Sequence, residues 1–388
     1  MNSPLLRRGL SIAALAASFV LASCESGPSA AEIEAQRVAA EAAAAAARQP
    51  PPIVLNDSVA QAASIYVTFM RDTAQLRGGF TSAEAIQEAL RKGTAYDPAQ
   101  LSRGMIAYAS IIALQSPEFV AGVRQFGINP TQRQEMIAAI VEDPAYAAVL
   151  PGAEHAAGLI IATLAKDVTA LSDAAESIEL DAYTIQERND PRRAWAVAHI
   201  ADRDARLQGA KTTSAGTMLP SATEAAALLA AANAGSGLNV SAETRRPPYT
   251  PAVANALAIA ALAALGAAGD EAKANTDALQ TDSSTEFCLN ISKLNLYQCL
   301  AASRPSYEDM FCVGRHVVRD LASCTRGSSV VIPIGFVDDP VTTSRAPAIT
   351  PTPIAAPAPT IAPTPLPAQT PAPTTTSSLN SGTPYQPN

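Results

Sequence analysis

The chain has 388 residues, enough for one or two domains, and 48% of them are hydrophobic although only 5% are aromatic. Alanine must therefore supply much of the apolar content, and an alanine-rich core packs helices closely while burying little area per residue. The formal net charge of −8 argues against a nucleic-acid-binding surface, which needs an excess of Lys and Arg.

Residues 1–23 have the features of a secretory signal peptide. A basic start is followed by an apolar run from Gly9 to Ala22, which is shorter than the roughly 20 residues that a membrane-spanning helix needs. The run closes with Leu21-Ala22-Ser23-Cys24. This tetrapeptide resembles the lipobox of bacterial lipoproteins; the alternative is an ordinary signal peptidase that cuts after Ser23.

The lipobox resemblance covers only the start of the chain and implies how the protein is anchored. Cleavage would leave Cys24 as the first residue, and acyl chains on this cysteine would hold the protein in a membrane, since more than one chain gives a stable anchor. Glu25 stands where an aspartate retains some lipoproteins in the inner membrane. We therefore expect lipidation at Cys24 and a location at the outer membrane, facing the periplasm of a Gram-negative bacterium.

Residues 24–52 are predicted to form an alanine-rich stalk with a proline linker. Alanine, the best helix former, favours a helix from Ala31 to Arg48, which ends before Pro50-Pro51-Pro52. At the other end of the chain, residues 339–388 are dominated by Pro, Thr and Ala and cannot bury a core. We expect a disordered or polyproline-like tail there.

The body between stalk and tail is predicted to be an all-α, alanine-rich multi-helix bundle. Capping-box spacing predicts helix starts at Thr81 and Ser221. At five further places a capping residue, able to accept orphan amide bonds, precedes a proline suited to the first helical position. These five residues are Asp97, Ser116, Asn129, Asp143 and Asp190.

Glycine- and serine-rich stretches suggest a soft boundary near residue 210. Residues 53–208 are then the first helical part, residues 209–250 a linker with a short helix, and residues 251–338 a second helical part. Only Ser329 to Val337 has the pattern of a strand.

Two apolar segments of the body have more than one interpretation. A heptad seam of eight apolar positions runs from Ile161 to Ile185 and fits either a coiled-coil partner face or a long helix packed inside its own bundle. Its small Ala175 and Ala182 favour the second. Residues Ala252 to Gly269 carry no charge and fit either a marginal membrane helix or a buried central helix. Their high alanine content favours burial.

Four cysteines near the C-terminus predict a disulfide-stapled helical hairpin. Facing residues in an antiparallel hairpin share a nearly constant sum of residue numbers, and the inner and outer cysteines obey this rule. We predict Cys299–Cys312 and Cys288–Cys324 disulfides, as expected in an exported chain. A four-cysteine zinc site is the rival, but the spacing lacks the short pairs of such sites.

The cysteine spacing is slightly uneven between the two arms of this hairpin. Eleven residues, nearly three helical turns, lead from Cys288 to Cys299. Twelve residues lead from Cys312 to Cys324, so the last turn of the second arm must loosen.

One helical stripe has candidate binding residues, namely Trp195, His199, Asp202 and Arg206. A lone tryptophan beside arginines can stack on a sugar or contact a phosphate; the ordinary alternative is a solvated helix with one buried tryptophan. His155 and His316 are isolated and have no metal-ligand spacing, so we predict no metal site and no cofactor.

Acidic residues on the predicted helices are expected on solvated faces, among them Glu176, Glu179, Asp181 and Glu187. The sequence contains no phosphate loop, dinucleotide fingerprint, nucleophile elbow or His-Glu-x-x-His motif. It favours a non-enzymatic cell-envelope lipoprotein with a structural or interaction role.

The expected partners are the membrane, through the acyl chains, and an envelope protein or peptidoglycan, with no nucleic acid. Two alternatives remain open. One is an envelope module that binds an apolar or lipid-like molecule between alanine-lined helices, and the other is a cell-wall-modifying enzyme whose site assembles from distant residues.

Overall fold

The computed structural model describes residues 29–47, 49–188 and 190–331, and these ranges are helical with two isolated β-bridges. The predictions for the signal peptide, for Cys24, for the tail and for Ile332 to Val337 lie outside the described residues. The α-helices of the described ranges are, in chain order, α1 (Ala30–Ala47), α2 (Asp57–Thr73), α3 (Ala83–Thr94), α4 (Pro98–Ala113), α5 (Pro117–Arg124), α6 (Pro130–Glu142), α7 (Ala153–Glu187), α8 (Ala194–Val197), α9 (Arg203–Ser214), α10 (Ala222–Ala234), α11 (Pro251–Ala264), α12 (Lys273–Leu279), α13 (Ser283–Ala302), α14 (Ser306–Val313) and α15 (Asp320–Ser329).

The predicted capping residues begin helices with one exception. All five residues that precede proline accept a hydrogen bond from a backbone N–H, although the last two begin short 3-10 turns, Pro144–Val149 and Pro191–Arg193, rather than α-helices. Ser221 caps α10. The prediction at Thr81 is wrong by one residue, because Ser82 accepts the N–H of Ala85 at 3.2 Å and caps α3.

The stalk helix is confirmed as α1, whose residues are exposed as far as Glu41. The proline linker that follows is tied to the body. The guanidinium of Arg124 on α5 donates to the carbonyls of Pro50 and Pro51 at 3.3 and 3.0 Å. These two hydrogen bonds hold the proline linker against α5.

The core is centred on α4 and α11, which pack against each other. Every residue of α11 from Ala256 to Ala264 is buried, which confirms the central-helix interpretation of this alanine-rich segment. Within the part of the chain that the structure describes, no single helix has both the length and the apolar character to cross a membrane. The neighbouring helical segments Pro98–Ala113 and Pro117–Gly127 reach that length and apolar character only when they are counted together, and the chain bends by 83° between them.

The long helix α7 confirms the intramolecular interpretation of the heptad seam. Seven of the eight seam positions, from Leu164 to Ile185, are buried, and Ile161 is partly buried. The helix packs against α4, α14 and α15. The seam therefore faces the protein's own bundle.

The boundary suggested near residue 210 does not divide the core. Helix α9 runs through position 209, and α10 packs on α2. The contact of α4 with α11 and that of α7 with α15 join the two predicted parts. Gly235 ends α10, whereas Gly209 lies inside α9, and the shared core is intact across this region.

The disulfide-stapled hairpin is confirmed. Cys288 pairs with Cys324 and Cys299 with Cys312, at Cα–Cα distances of 5.7 and 5.8 Å. The loosened turn, however, lies in the middle of the second arm, in a π-helical segment from Gly314 to Arg319. Because π-helical hydrogen bonds span five residues instead of four, this segment absorbs one extra residue. The twelve-residue step thus covers the same three turns as the eleven-residue step on α13.

Candidate functional site

The four residues predicted to share one helical stripe lie on three pieces of backbone. Trp195 is on α8, His199 and Asp202 are in the connection that follows, and Arg206 is on α9. The single-helix prediction is therefore wrong. The connection bonds to the turn before α14 instead of to itself, since the N–H of Ile200 donates to the carbonyl of Arg304 at 2.9 Å.

These four residues nevertheless line one cavity of about 590 Å³, which we call the Trp195 pocket. Its opposite wall comes from Glu84, Gln87 and Arg91 of α3, and Ser306 at the start of α14 completes it. The α3 residues are three and four positions apart and so share one helix face. Sequence reasoning missed this wall, although the polar spacing on α3 was a usable signal.

Trp195 is positioned by an arginine that is itself fixed. The guanidinium of Arg193 lies 5.8 Å from the centroid of the Trp195 ring, within cation–π range. Arg193 also makes an ion pair with Asp181 of α7 and donates to the carbonyl of Phe80 at 3.1 Å. Burial acts to raise the pKa of Asp181, but the hydrogen bonds from Arg193 and the backbone outweigh it and hold that pKa below its ordinary value.

Arg206 joins the pocket wall to a buried polar network. Its side chain pairs with Asp309 of α14, and both side chains are buried. Ser303 donates to Asp309 at 2.6 Å, and the Gln87 side chain donates to the other carboxylate oxygen at 3.1 Å. Burial raises the pKa of Asp309, although these donors favour the ionised form. The network locks α3, α9 and α14 together behind the pocket.

The pocket therefore combines an aromatic ring with planar hydrogen-bonding groups of both charges. His199, Asp202 and Arg91 are exposed, while Arg206 is held by its buried partner. Exposed guanidinium and amide groups donate to carboxylates and hydroxyls, and the carboxylates accept from hydroxyls. The arrangement suits recognition of a polar ligand with an apolar face.

A second histidine site resembles catalytic machinery in composition but not in geometry. His155 lies with Nδ1 2.7 Å from the Ser116 hydroxyl and 2.9 Å from a Glu118 carboxylate oxygen. In a serine–histidine–acid triad the two partners contact opposite nitrogens of the ring. Here both contact the same nitrogen, and the Ser116 hydroxyl also caps α5 by accepting the N–H of Phe119 at 3.2 Å. The cluster is arranged as a helix cap.

Two acidic residues expected on solvated faces are in ion pairs instead. Glu179 binds Arg319 of the π-helical segment through two hydrogen bonds of 2.7 and 2.8 Å. Asp181 binds Arg193, as described above, whereas Glu176 and Glu187 are exposed. The arginine partners of Glu179 and Asp181 lie more than ten positions away in sequence, so the helical pattern of α7 could not reveal them.

A larger cavity of about 790 Å³ lies along α2 and is named here the α2 groove. Ile65 and Phe69 of α2 and the exposed Leu219 contribute apolar lining. Thr68 lines it as well, but its hydroxyl is buried and has no hydrogen-bond partner among the described residues. Lys92 lies at this groove as well.

His316 lies 3.3 Å from Asp320, and no group of three or more metal-binding side chains occurs within the described ranges. Comparison with known proteins adds no relative: no family model, no curated protein and no solved structure matches this chain. The chemistry of the Trp195 pocket and of the α2 groove is therefore the basis for a functional proposal.

Proposed function

We propose that this protein is a non-enzymatic cell-envelope lipoprotein, anchored through acylated Cys24, whose helical body binds a saccharide of the cell wall in the Trp195 pocket. The lipobox-like sequence supports the anchor. The observation that carries the binding proposal is the convergence of Trp195, His199, Asp202 and Arg206 with the polar face of α3 on one cavity. Pockets of this size accommodate small ligands.

The chemical class of the ligand follows from the wall of the pocket. The face of a sugar ring carries C–H groups that pack on an aromatic ring, and its edge carries hydroxyls that pair with amide and carboxylate groups. Arg91 is exposed, and its guanidinium, which pairs with Glu88 on the surface of α3, could exchange that carboxylate for one of a ligand. Glycan strands of peptidoglycan offer sugar rings and carboxylates together.

Cosedimentation with purified peptidoglycan sacculi tests this proposal. Trp195→Ala should weaken the affinity of the mature protein for sacculi by roughly fivefold or more, because an aromatic contact of this kind contributes about 1 kcal/mol beyond its buried area. Tyr183→Ala is the matched control, since Tyr183 is an exposed aromatic residue on α7 that does not line the pocket. Failure of the wild-type protein to sediment, or equal sedimentation of Trp195→Ala with its circular dichroism unchanged, would refute saccharide binding.

The anchor has its own test. Cys24→Ser should shift the protein from the membrane fraction to the soluble envelope fraction and should lower its mass by that of the acyl chains. A Cys24→Ser protein that still fractionates with membranes at an unchanged mass would refute lipidation without affecting the pocket.

The α2 groove favours a second candidate function, the binding of an apolar or lipid-like molecule. Ile65, Phe69 and Leu219 would contact the apolar part, and Lys92 would contact a polar head group. Native mass spectrometry of the Cys24→Ser protein should then show a co-purified ligand that Phe69→Ala loses. A ligand-free mass would count against this candidate.

A further inference from the structure

Helices α3 and α9 pack side by side, and a second cavity follows the Trp195 pocket along the line where they meet. The first halves of the two helices line the Trp195 pocket, through Glu84 and Arg206. Their second halves line the second cavity, through Leu90 and Thr213. This second cavity has a volume of about 190 Å³, and we call it the Gly209 pocket after the glycine in its wall.

The two cavities meet at three shared side chains, Gln87, Arg91 and Arg206. Gln87 and Arg206 both bond to the buried Asp309, so their positions are fixed. The side chain of Arg91 is 58% exposed and pairs with Glu88 of the same helix. An exposed ion pair of this kind is weak, so Arg91 is free to move aside. The junction can therefore open and join the two cavities into one continuous site.

Gly209 gives the second cavity a wall of bare backbone. It lies inside α9, where a glycine is less favourable than an alanine. Apart from the backbone of its own helix, no atom lies within 4 Å of the position that a Cβ would take there. Ala205 and Ala210, which also line this cavity, are small as well. The packing of the fold therefore does not require a glycine at this position, whereas a ligand that approaches the backbone of α9 does.

We propose that the two cavities bind adjacent rings of one glycan strand, an inference that rests on the proposed function of the Trp195 pocket. One ring would stack on Trp195, and the next ring would lie against Gly209. The lining of α9 moves by about one helical turn, roughly 5 Å, from the first cavity to the second. This distance is close to the length of one sugar ring, and a single oxygen atom joins neighbouring rings of a glycan. A carboxylate on either ring would meet Arg91 at the junction.

Calorimetric titration of the mature full-length protein with two soluble probes tests this inference. The probes are N-acetylmuramic acid, which is a single ring with a carboxylate, and the two-ring repeat of peptidoglycan that contains it. The two-ring probe should bind roughly tenfold or more tightly than the single ring, because only the longer probe reaches the Gly209 pocket. Equal affinities would overturn the role of the second cavity and leave saccharide binding at Trp195 in place. Absence of binding by both probes would overturn the proposed function and this inference with it.

Gly209→Leu tests the second cavity separately from the first. The leucine side chain should fill the Gly209 pocket, lower the affinity for the two-ring probe by roughly tenfold or more, and leave the affinity for the single ring unchanged. The variant should be at least as stable as the wild type in thermal unfolding, because leucine is a better helix former than glycine. Gly327→Leu is the matched control and should bind both probes as the wild type does, since Gly327 is a helical glycine of α15 that also faces open space.

Three results with these variants would overturn the proposal. They are wild-type affinity of Gly209→Leu for the two-ring probe, an equal loss of affinity in Gly327→Leu, and a loss of thermal stability in Gly209→Leu. The last result would mean that the space beside Gly209 is not open to a ligand.

Discussion

Asp167 on α7 is a partly buried carboxylate that is hydrogen-bonded to α2. The hydroxyl of Tyr66 on α2 donates to it at 3.0 Å, and the Tyr66 ring stacks on Tyr108 with 5.9 Å between the centroids. Burial raises the pKa of Asp167 to about 6, although the hydrogen bond from Tyr66 acts in the opposite direction. The folded protein thus binds this proton more tightly than the unfolded chain does. Its stability should fall as the pH rises from about 4 to about 6.

Asp167→Asn removes the charge and keeps an oxygen that accepts the Tyr66 hydrogen bond. A shift of roughly two pKa units, at about 1.4 kcal/mol per unit, sets the cost of the charge near 3 kcal/mol above pH 7. We therefore expect Asp167→Asn to raise the free energy of unfolding by about 3 kcal/mol at pH 7.5. At pH 4 the gain should shrink to roughly 0.5 kcal/mol, because the carboxyl is already largely protonated in the folded state.

Urea unfolding followed by circular dichroism at pH 7.5 and pH 4 measures both values. Asp173→Asn is the matched control, since Asp173 lies exposed on the same helix, and it should give no comparable gain. A destabilised Asp167→Asn protein, or a gain of the same size at both pH values, would refute the reasoning. Either result would mean that the ionised carboxylate is favourably bound in the fold.

Three further predictions concern stability. Replacing both cysteines of the Cys288–Cys324 pair by serine should lower the free energy of unfolding by about 4 kcal/mol, and the same change in the Cys299–Cys312 pair by about 3 kcal/mol. The first loss is larger because that disulfide spans 36 residues and the second spans 13. Urea titrations that reverse this order would contradict the prediction. Burial lowers the pKa of Lys293 to about 8, so between pH 8 and pH 10 the unfolded chain binds this proton more tightly than the folded protein does. The wild-type protein should therefore gain stability over this range, whereas Lys293→Met should show no such gain. Equal pH profiles of stability for the two proteins would refute this assignment. Gly158→Ala would force Cβ against a backbone carbonyl and should lower the stability by about 1–3 kcal/mol in thermal unfolding. Gly209→Ala meets open space and should raise the stability by about 0.5–1 kcal/mol. A Gly158→Ala protein as stable as the wild type would contradict the close packing of α7.

The Trp195 pocket shows why a site can be half visible in a sequence. The pattern around Trp195 and Arg206 indicated residues that belong together, but it assigned them to one continuous helix. Their true relation depends on the turn before α14, about 100 residues further along the chain, which accepts the backbone N–H of Ile200. The wall from α3 and the buried Asp309 depend on the same long-range contacts. Helical periodicity relates only neighbours along the chain, so it has no information about these partners.

The local physical chemistry of the sequence was sufficient for the all-α class, all but one of the capping residues, the buried α11, the inward-facing seam of α7 and both disulfide pairings. Each of these follows from spacing along one helix or across one tight turn, where geometry is nearly independent of the rest of the molecule. Only the tertiary structure decided which polar side chains are paired, where the extra residue of the second hairpin arm is absorbed, and which residues enclose a cavity. Those features result from packing between segments far apart in sequence, and the energy of burying a charge at such a contact depends on every element around it.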